Sequence, residues 1–174
     1  MNWRNLLARA LVLAAIAAFS GLGLVGPAAA QTEQEGGGEE LPWSSRCTSA
    51  SRDAPATCQI EQRAVITETG QLLLLVTIAV PGDSRQPILN IRTPLQLFLP
   101  AGVNIDIDER NAQKLNYQTC DQQGCYARMD ISNALLDAMI KGGKLNIIIE
   151  NLNRQKLTVP MSLTGFTEVY GRVR

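Results

Sequence analysis

The stretch VNIDID, residues 103–108, alternates without a break. Val103, Ile105 and Ile107 fall to one side of an extended chain, and Asn104, Asp106 and Asp108 fall to the other. A strand with one covered face satisfies that pattern. The rest of the chain follows the same period or punctuates it. QLLLLVTIAV, Gln71 to Val80, is an apolar run that turns β-branched near its end and is bounded by Gly70 and Pro81-Gly82. Its length and flanks predict a strand covered on both faces. KLNIIIE and KLTVPMSL flank the polar NLNRQ, which predicts a hairpin. Pro160 has no N–H to give a ladder, so it belongs on an edge or at a strand end. One segment departs from the pattern. In SNALLDAMIKGG, Ser132 is placed to cap a helix, and Leu135, Leu136, Met139 and Ile140 recur at helical spacing. Gly142 and Gly143 supply the stop. The C-terminal TGFTEVYGRVR reads as an irregular or one-turn helical tail with Phe166 anchored in the core. About eight short strands and one short crossing helix predict an all-β chain. An antiparallel β-sandwich is the expected architecture, and a closed barrel is the alternative.

The N-terminus sets the chemistry available to the cysteines. Arg4 and Arg9 precede an uncharged stretch from Ala10 to Ala30 that carries an apolar run and ends in GPAAA. This is the pattern of a secretory signal peptide over residues 1–30, with cleavage expected after Ala30. The strongly apolar part is shorter than the roughly 20 residues a membrane helix needs. The arginines are not adjacent, which disfavours twin-arginine export, and no cysteine lies near the cut to take a lipid. No later segment is long and apolar enough for a spanning helix. Residues 31–42 open with QTEQEGGGEE, which holds four glutamates and no base, and read as a disordered acidic leader. From Leu41 onward 14 basic residues face 12 acidic ones, a balance that predicts neither nucleic acid nor an anionic membrane as a partner. Residues 43–174 are left as one domain.

Cys47, Cys58, Cys120 and Cys125 all lie in the exported part, and an even count outside a reducing cytosol reads as disulfides. Four cysteines allow three connectivities. The local pairing, Cys47 with Cys58 and Cys120 with Cys125, is the simplest and is the one expected. TCDQQGCYAR, residues 119–128, has hairpin-like flanks, and Gly124 is free to take positive φ, so a staple across a turn is expected there. A redox pair calls for C-x-x-C at a helix N-terminus, and the spacing here is C-x4-C. A four-cysteine zinc site calls for close knuckles on both sides, and Cys47 to Cys58 is C-x10-C.

The chain has no histidine, which removes Ser-His and Cys-His nucleophile pairs and the commonest metal ligand. No catalytic residue, metal or cofactor is expected. Asp106 and Asp108, with Glu109 beside them, are the one carboxylate group worth weighing. Projected to one side of a strand they could do acid–base work or hold a hard cation, but the alternation favours a solvated polar face balanced by Arg110, Lys114 and Arg128. Ser44, Ser45, Ser49 and Ser51 have no nucleophile elbow or base and read as loop residues. Trp43, close to Cys47, reads as a core residue rather than a ligand-stacking one.

Several features then coincide in order: Trp43-x3-Cys47, Cys58-Gln-Ile-Glu-Gln62, LFLPAGVNIDID, Cys120-Asp-Gln-Gln-Gly-Cys125 and PMSLTGF. Together, behind a signal peptide, they resemble the invasion-associated locus B family of Gram-negative, mainly alphaproteobacterial, envelope proteins. The resemblance runs from Trp43 to the C-terminus. It departs at NYQT before Cys120, where the family more often has a proline-aromatic step, and at the acidic leader. It implies an immunoglobulin-like sandwich, periplasmic or outer-membrane-associated, without known catalytic residues. Some members of the family are linked to host-cell entry. The expected function is a non-enzymatic envelope protein that binds another protein. The alternatives are a carboxylate-dependent periplasmic hydrolase and a small-ligand or lipid carrier.

Overall fold

A computed structural model describes residues 42–174. The expected signal peptide and nearly all of the acidic leader lie outside the described residues. The order is β1 (Ser44–Thr48), β2 (Thr57–Val65), β3 (Leu72–Val80), β4 (Ile88–Thr93), a 3-10 turn (Leu99–Ala101), β5 (Val103–Ile107), β6 (Arg110–Leu115), β7 (Tyr117–Asp121), β8 (Gly124–Asp130), α1 (Asn133–Lys141), β9 (Lys144–Glu150), β10 (Lys156–Ser162) and α2 (Phe166–Gly171). Six strands form one sheet in the order β1-β2-β3-β4-β8-β7, and four form the other in the order β10-β9-β5-β6. Every strand pairing is antiparallel.

The two sheets form a sandwich, and alternation decides which side chains fill it. Ile60, Leu74, Val76, Ile78, Leu89 and Ile91 face inward from the larger sheet with no exposed surface. Val103, Ile105, Leu145, Ile147 and Ile149 meet them from the smaller sheet in one continuous apolar cluster. At about 25 cal/mol per Å² of apolar surface removed from water, this burial is the main force holding the sheets together. α1 forms where the spacing predicts a helix. Ser132 Oγ accepts from the Leu135 N–H at 3.2 Å, and Leu135 and Met139 are buried. β9 and β10 form the hairpin read from the sequence, and Pro160 sits on β10, an edge strand, where its missing N–H breaks no ladder.

The structure departs from the sequence expectations in several places. Among the described residues there are ten strands rather than about eight, because β1, β6 and β7 lie on sheet edges and expose most of their residues. No covered face remains there to write an alternation. Ser44 and Ser45, read as loop residues, open β1. The tail takes the helical of its two expected forms, the six-residue α2, with Phe166 buried at its start beside Val169 and Tyr170. β3 is covered on one face only. Leu75, Thr77 and Ala79 face outward and are partly exposed. An uninterrupted apolar run can reflect small side chains shielded by long neighbours as well as a second packed layer.

Candidate functional site

Asp106 and Asp108 do not share a solvated strand face. β5 ends at Ile107, and Asp108 turns into the left-handed region at φ 48°, so the two carboxylates part. Asp106 Oδ1 accepts from the Glu109 N–H at 2.8 Å and from Asn146 Nδ2 at 2.7 Å, fixing the β5–β6 turn to β9. Asp108 accepts from the backbone N–H of Gly143 at 2.8 Å on Oδ2 and of Lys144 at 2.9 Å on Oδ1. It therefore ties the β5–β6 turn to the chain leaving α1. Gly142 permits that approach, since a Cβ there would stand 2.4 Å from Ile107 Cγ2 and 3.1 Å from Asp108 Oδ2. Among the described residues neither aspartate forms an ion pair with Arg110, Lys114 or Arg128. Both carboxylates thus have a structural task at the turn. A surface depression of about 470 Å³ lies beside Asp108 and Lys144.

The cysteines form two bonds, Cys47–Cys58 and Cys120–Cys125, each joining direct register partners on neighbouring strands. Gly124 has φ 148°, and a Cβ on it would meet the Thr93 carbonyl oxygen at 2.2 Å, so only glycine fits the inner side of that hairpin. Trp43 is 3 % exposed and belongs to the core, where its Nε1 donates to the Ser162 carbonyl at 2.8 Å.

Two surfaces escaped the sequence reading. The first is one end of the sandwich. The turns 66–71, 122–123 and 151–155 gather there with the connection 94–102, as the strand register requires. The Phe98 N–H donates to the Glu150 carbonyl at 2.9 Å, and Arg154 stacks over Phe98 at 4.4 Å. The exposed large apolar side chains of the described residues all lie at this end: Val65, Ile66, Leu95, Leu99, Leu152 and Leu157. Leu152 is the most exposed, at 65 %. Depressions of about 540 Å³, lined by Leu99, Pro100 and Tyr117, and about 430 Å³, lined by Leu97, Ile149 and Leu157, open beside them. The prolines and close leucines of PLQLFLPAG were the available signal. Burial shields Tyr117 from water and raises its phenol pKa above 10.0, with the hydrogen bond from Thr93 acting in the opposite direction.

The second is the outer face of the larger sheet. A groove of about 330 Å³ runs over Leu75, Thr77 and Ala79, with Arg46 and Gln59 on one wall and Arg92 and Tyr126 on the other. Reading β3 as covered on both faces concealed it.

Among the described residues, no group of three or more Cys, Asp or Glu side chains is placed to hold a metal ion. No described helix is long and apolar enough to cross a membrane. Fold and side-chain placement thus define a disulfide-bonded β-sandwich protein. Residues 43–174 match the family model described as Invasion associated locus B (IalB) protein, and the chain belongs to that family. It is 27 % identical over 167 residues to invasion protein B homologs of Brucella abortus, strain 2308 and biovar 1 strain 9-941, spanning 95 % of this chain and 92 % of each relative. The crystal structure of invasion associated protein B from Bartonella henselae superimposes with a TM-score of 0.66 at 17 % identity, over 76 % of this chain and 90 % of that one. That likeness supports the sandwich fold.

Proposed function

We propose that this chain is an exported, non-enzymatic binding protein of the cell envelope, periplasmic or outer-membrane-associated, that docks a protein partner through the apolar end of its sandwich. The observation that carries the reading is the gathering of the exposed large apolar side chains at that one end, around the connection 94–102. Contiguous apolar surface rimmed by polar residues is typical of protein interaction sites. Export rests on the N-terminal pattern, and sequencing the N-terminus of protein recovered from the envelope tests it, with Gln31 expected first. The names of the Brucella relatives motivate a cell-entry assay with a deletion strain for a contribution to host contact.

The docking test compares wild type with Leu99→Glu/Leu152→Glu in crosslinking and pull-down from envelope fractions. Wild type recovers a specific protein, and the variant loses it while keeping the wild-type melting temperature. Equal recovery by both forms removes the apolar end as the docking site. The hydrolase reading draws no support from Asp106 and Asp108, since Asp106 Oδ1 and both oxygens of Asp108 are engaged in turn geometry. The carrier reading needs an enclosed apolar cavity, whereas the inward side chains pack on one another.

A further inference from the structure

We propose that the outer face of the six-stranded sheet binds an acidic polypeptide segment in extended conformation. This surface is separate from the apolar end, and the inference goes beyond the docking role given to that end.

Register places the outward side chains in cross-strand rows. Arg46, Gln59, Ala79, Ile88 and Asp130 form one row. Ser44, Glu61, Thr77, Asn90 and Arg128 form the next, and Arg63, Leu75, Arg92 and Tyr126 the third. The face thus carries four arginines against three acidic residues: Glu61 in the groove, Asp130, and Asp121, whose carboxylate accepts from the Tyr126 hydroxyl at 3.0 Å. Glu61 is already held by Arg63 at 2.9 Å. The other three arginines form no ion pair among the described residues. Arg46 faces the Gln59 amide, whose oxygen, turned toward it, accepts from Nε at 2.8 Å and Nη2 at 2.7 Å. Arg92 donates to the Gln123 amide at 2.9 Å, and its buried Nε has no acceptor among the described residues. Amide partners orient Arg46 and Arg92 and leave them without a carboxylate partner among the described residues, so the groove between them complements carboxylates.

The shape of the groove favours a polypeptide over other polyanions. Its floor is small and partly apolar at Leu75, Thr77 and Ala79, while the longer side chains stand on both walls. Successive rows are two residues apart along the strands, which is about 7 Å, and an extended peptide presents same-side chains at that spacing. Carboxylates four residues apart on a peptide lying along the groove therefore meet Arg46 of the first row on one wall and Arg92 of the third row on the other, with Gln59, Thr77 and Asn90 available to the peptide amides.

The experiment titrates the full exported chain with a fluorescent ten-residue peptide of alternating glutamate and threonine, read by anisotropy. The acidic peptide binds, binding weakens as salt is raised, and its glutamine counterpart binds at least tenfold more weakly. The combined Arg46→Gln/Arg92→Gln/Arg128→Gln variant also loses at least tenfold while keeping the wild-type melting temperature. If those substitutions lower the melting temperature, Arg46→Gln alone is the deciding variant, because Arg46 lines the groove, stands exposed and faces the Gln59 amide rather than a carboxylate, and a weakened affinity is expected. Equal binding of the glutamine peptide, or unchanged affinity in the arginine variants, overturns the proposal. So does equal binding of inorganic polyphosphate or of vesicles with anionic lipid, which marks a general anion surface. Leu99→Glu/Leu152→Glu is expected to leave peptide binding unchanged, so failure here is separable from failure at the apolar end.

Discussion

Trp43 meets Phe166 edge-on, with ring centroids 5.3 Å apart and planes at 67°. This contact joins the residue before β1 to the first residue of α2 and closes the core where β2 and β10 approach each other. Phe166 in turn stacks on Tyr170 at 5.6 Å. The indole N–H is satisfied by the Ser162 carbonyl, so the large ring is buried without an orphaned donor. Trp43→Ala is expected to cost about 3–5 kcal/mol, the range for emptying a buried aromatic site. Trp43→Phe should cost less, since it keeps ring packing and loses the hydrogen bond. Urea unfolding monitored by circular dichroism measures both, and equal midpoints for the alanine variant and wild type would remove Trp43 from the core.

The two disulfides should contribute unequally. Cys47–Cys58 spans 11 positions and Cys120–Cys125 spans 5. Each doubling of a closed loop adds about 0.6 kcal/mol of unfolded-state entropy, so the first ring is expected to stabilise more by about that amount. The second holds a turn already shaped by Gly124. Cys47→Ala/Cys58→Ala should therefore lower the denaturant midpoint more than Cys120→Ala/Cys125→Ala. The reverse order would show that the stapled hairpin, not the β1–β2 join, limits stability.

Asp108 is expected to behave as a structural anchor. Asp108→Ala removes the acceptor of the Gly143 and Lys144 N–H groups, at a cost of about 1.5–3 kcal/mol, the range for hydrogen bonds to a charged group. Hydrogen exchange should quicken at those two amides first. Asp108→Asn keeps one carbonyl oxygen and should fall between alanine and wild type. Unchanged protection at both amides in the alanine variant would contradict the assignment.

What the sequence made legible follows from burial. VNIDID, KLNIIIE and the α1 segment each have one covered side, so their periods survive in the residue order and their places in the fold could be read. β1, β6 and β7 are edge strands made mainly of polar residues, and hydrogen bonds to a neighbour hold them without leaving an apolar signature. Asp106 and Asp108 were read together because alternation carries them to one side. The chain departs from β geometry at Asp108, and a two-residue period cannot announce a left-handed turn. The groove over Thr77 and Ala79 was hidden for a related reason, because apolar composition does not distinguish a side chain under another layer from one shaded by neighbouring arginines.

Tyr117 gives the fold a sensitivity to alkaline pH. Its hydroxyl accepts from Thr93 Oγ1 at 3.3 Å, and Thr93 is 1 % exposed beneath the start of the connection 94–102. Burial disfavours the phenolate, so the folded-state pKa lies above the 10.0 of the unfolded chain. Between the two values the folded state holds more protons than the unfolded one, and stability falls as pH rises. The stabilisation is thus complete below pH 10.0 and is lost as pH climbs through the folded pKa. Tyr170, also raised by burial with Arg174 opposing, adds in the same direction. Tyr117→Phe removes one titrating group while keeping the ring, so its midpoint should decline less steeply than wild type above that pH. Parallel declines in urea titrations on both sides of pH 10.0 would assign the alkaline loss to other groups.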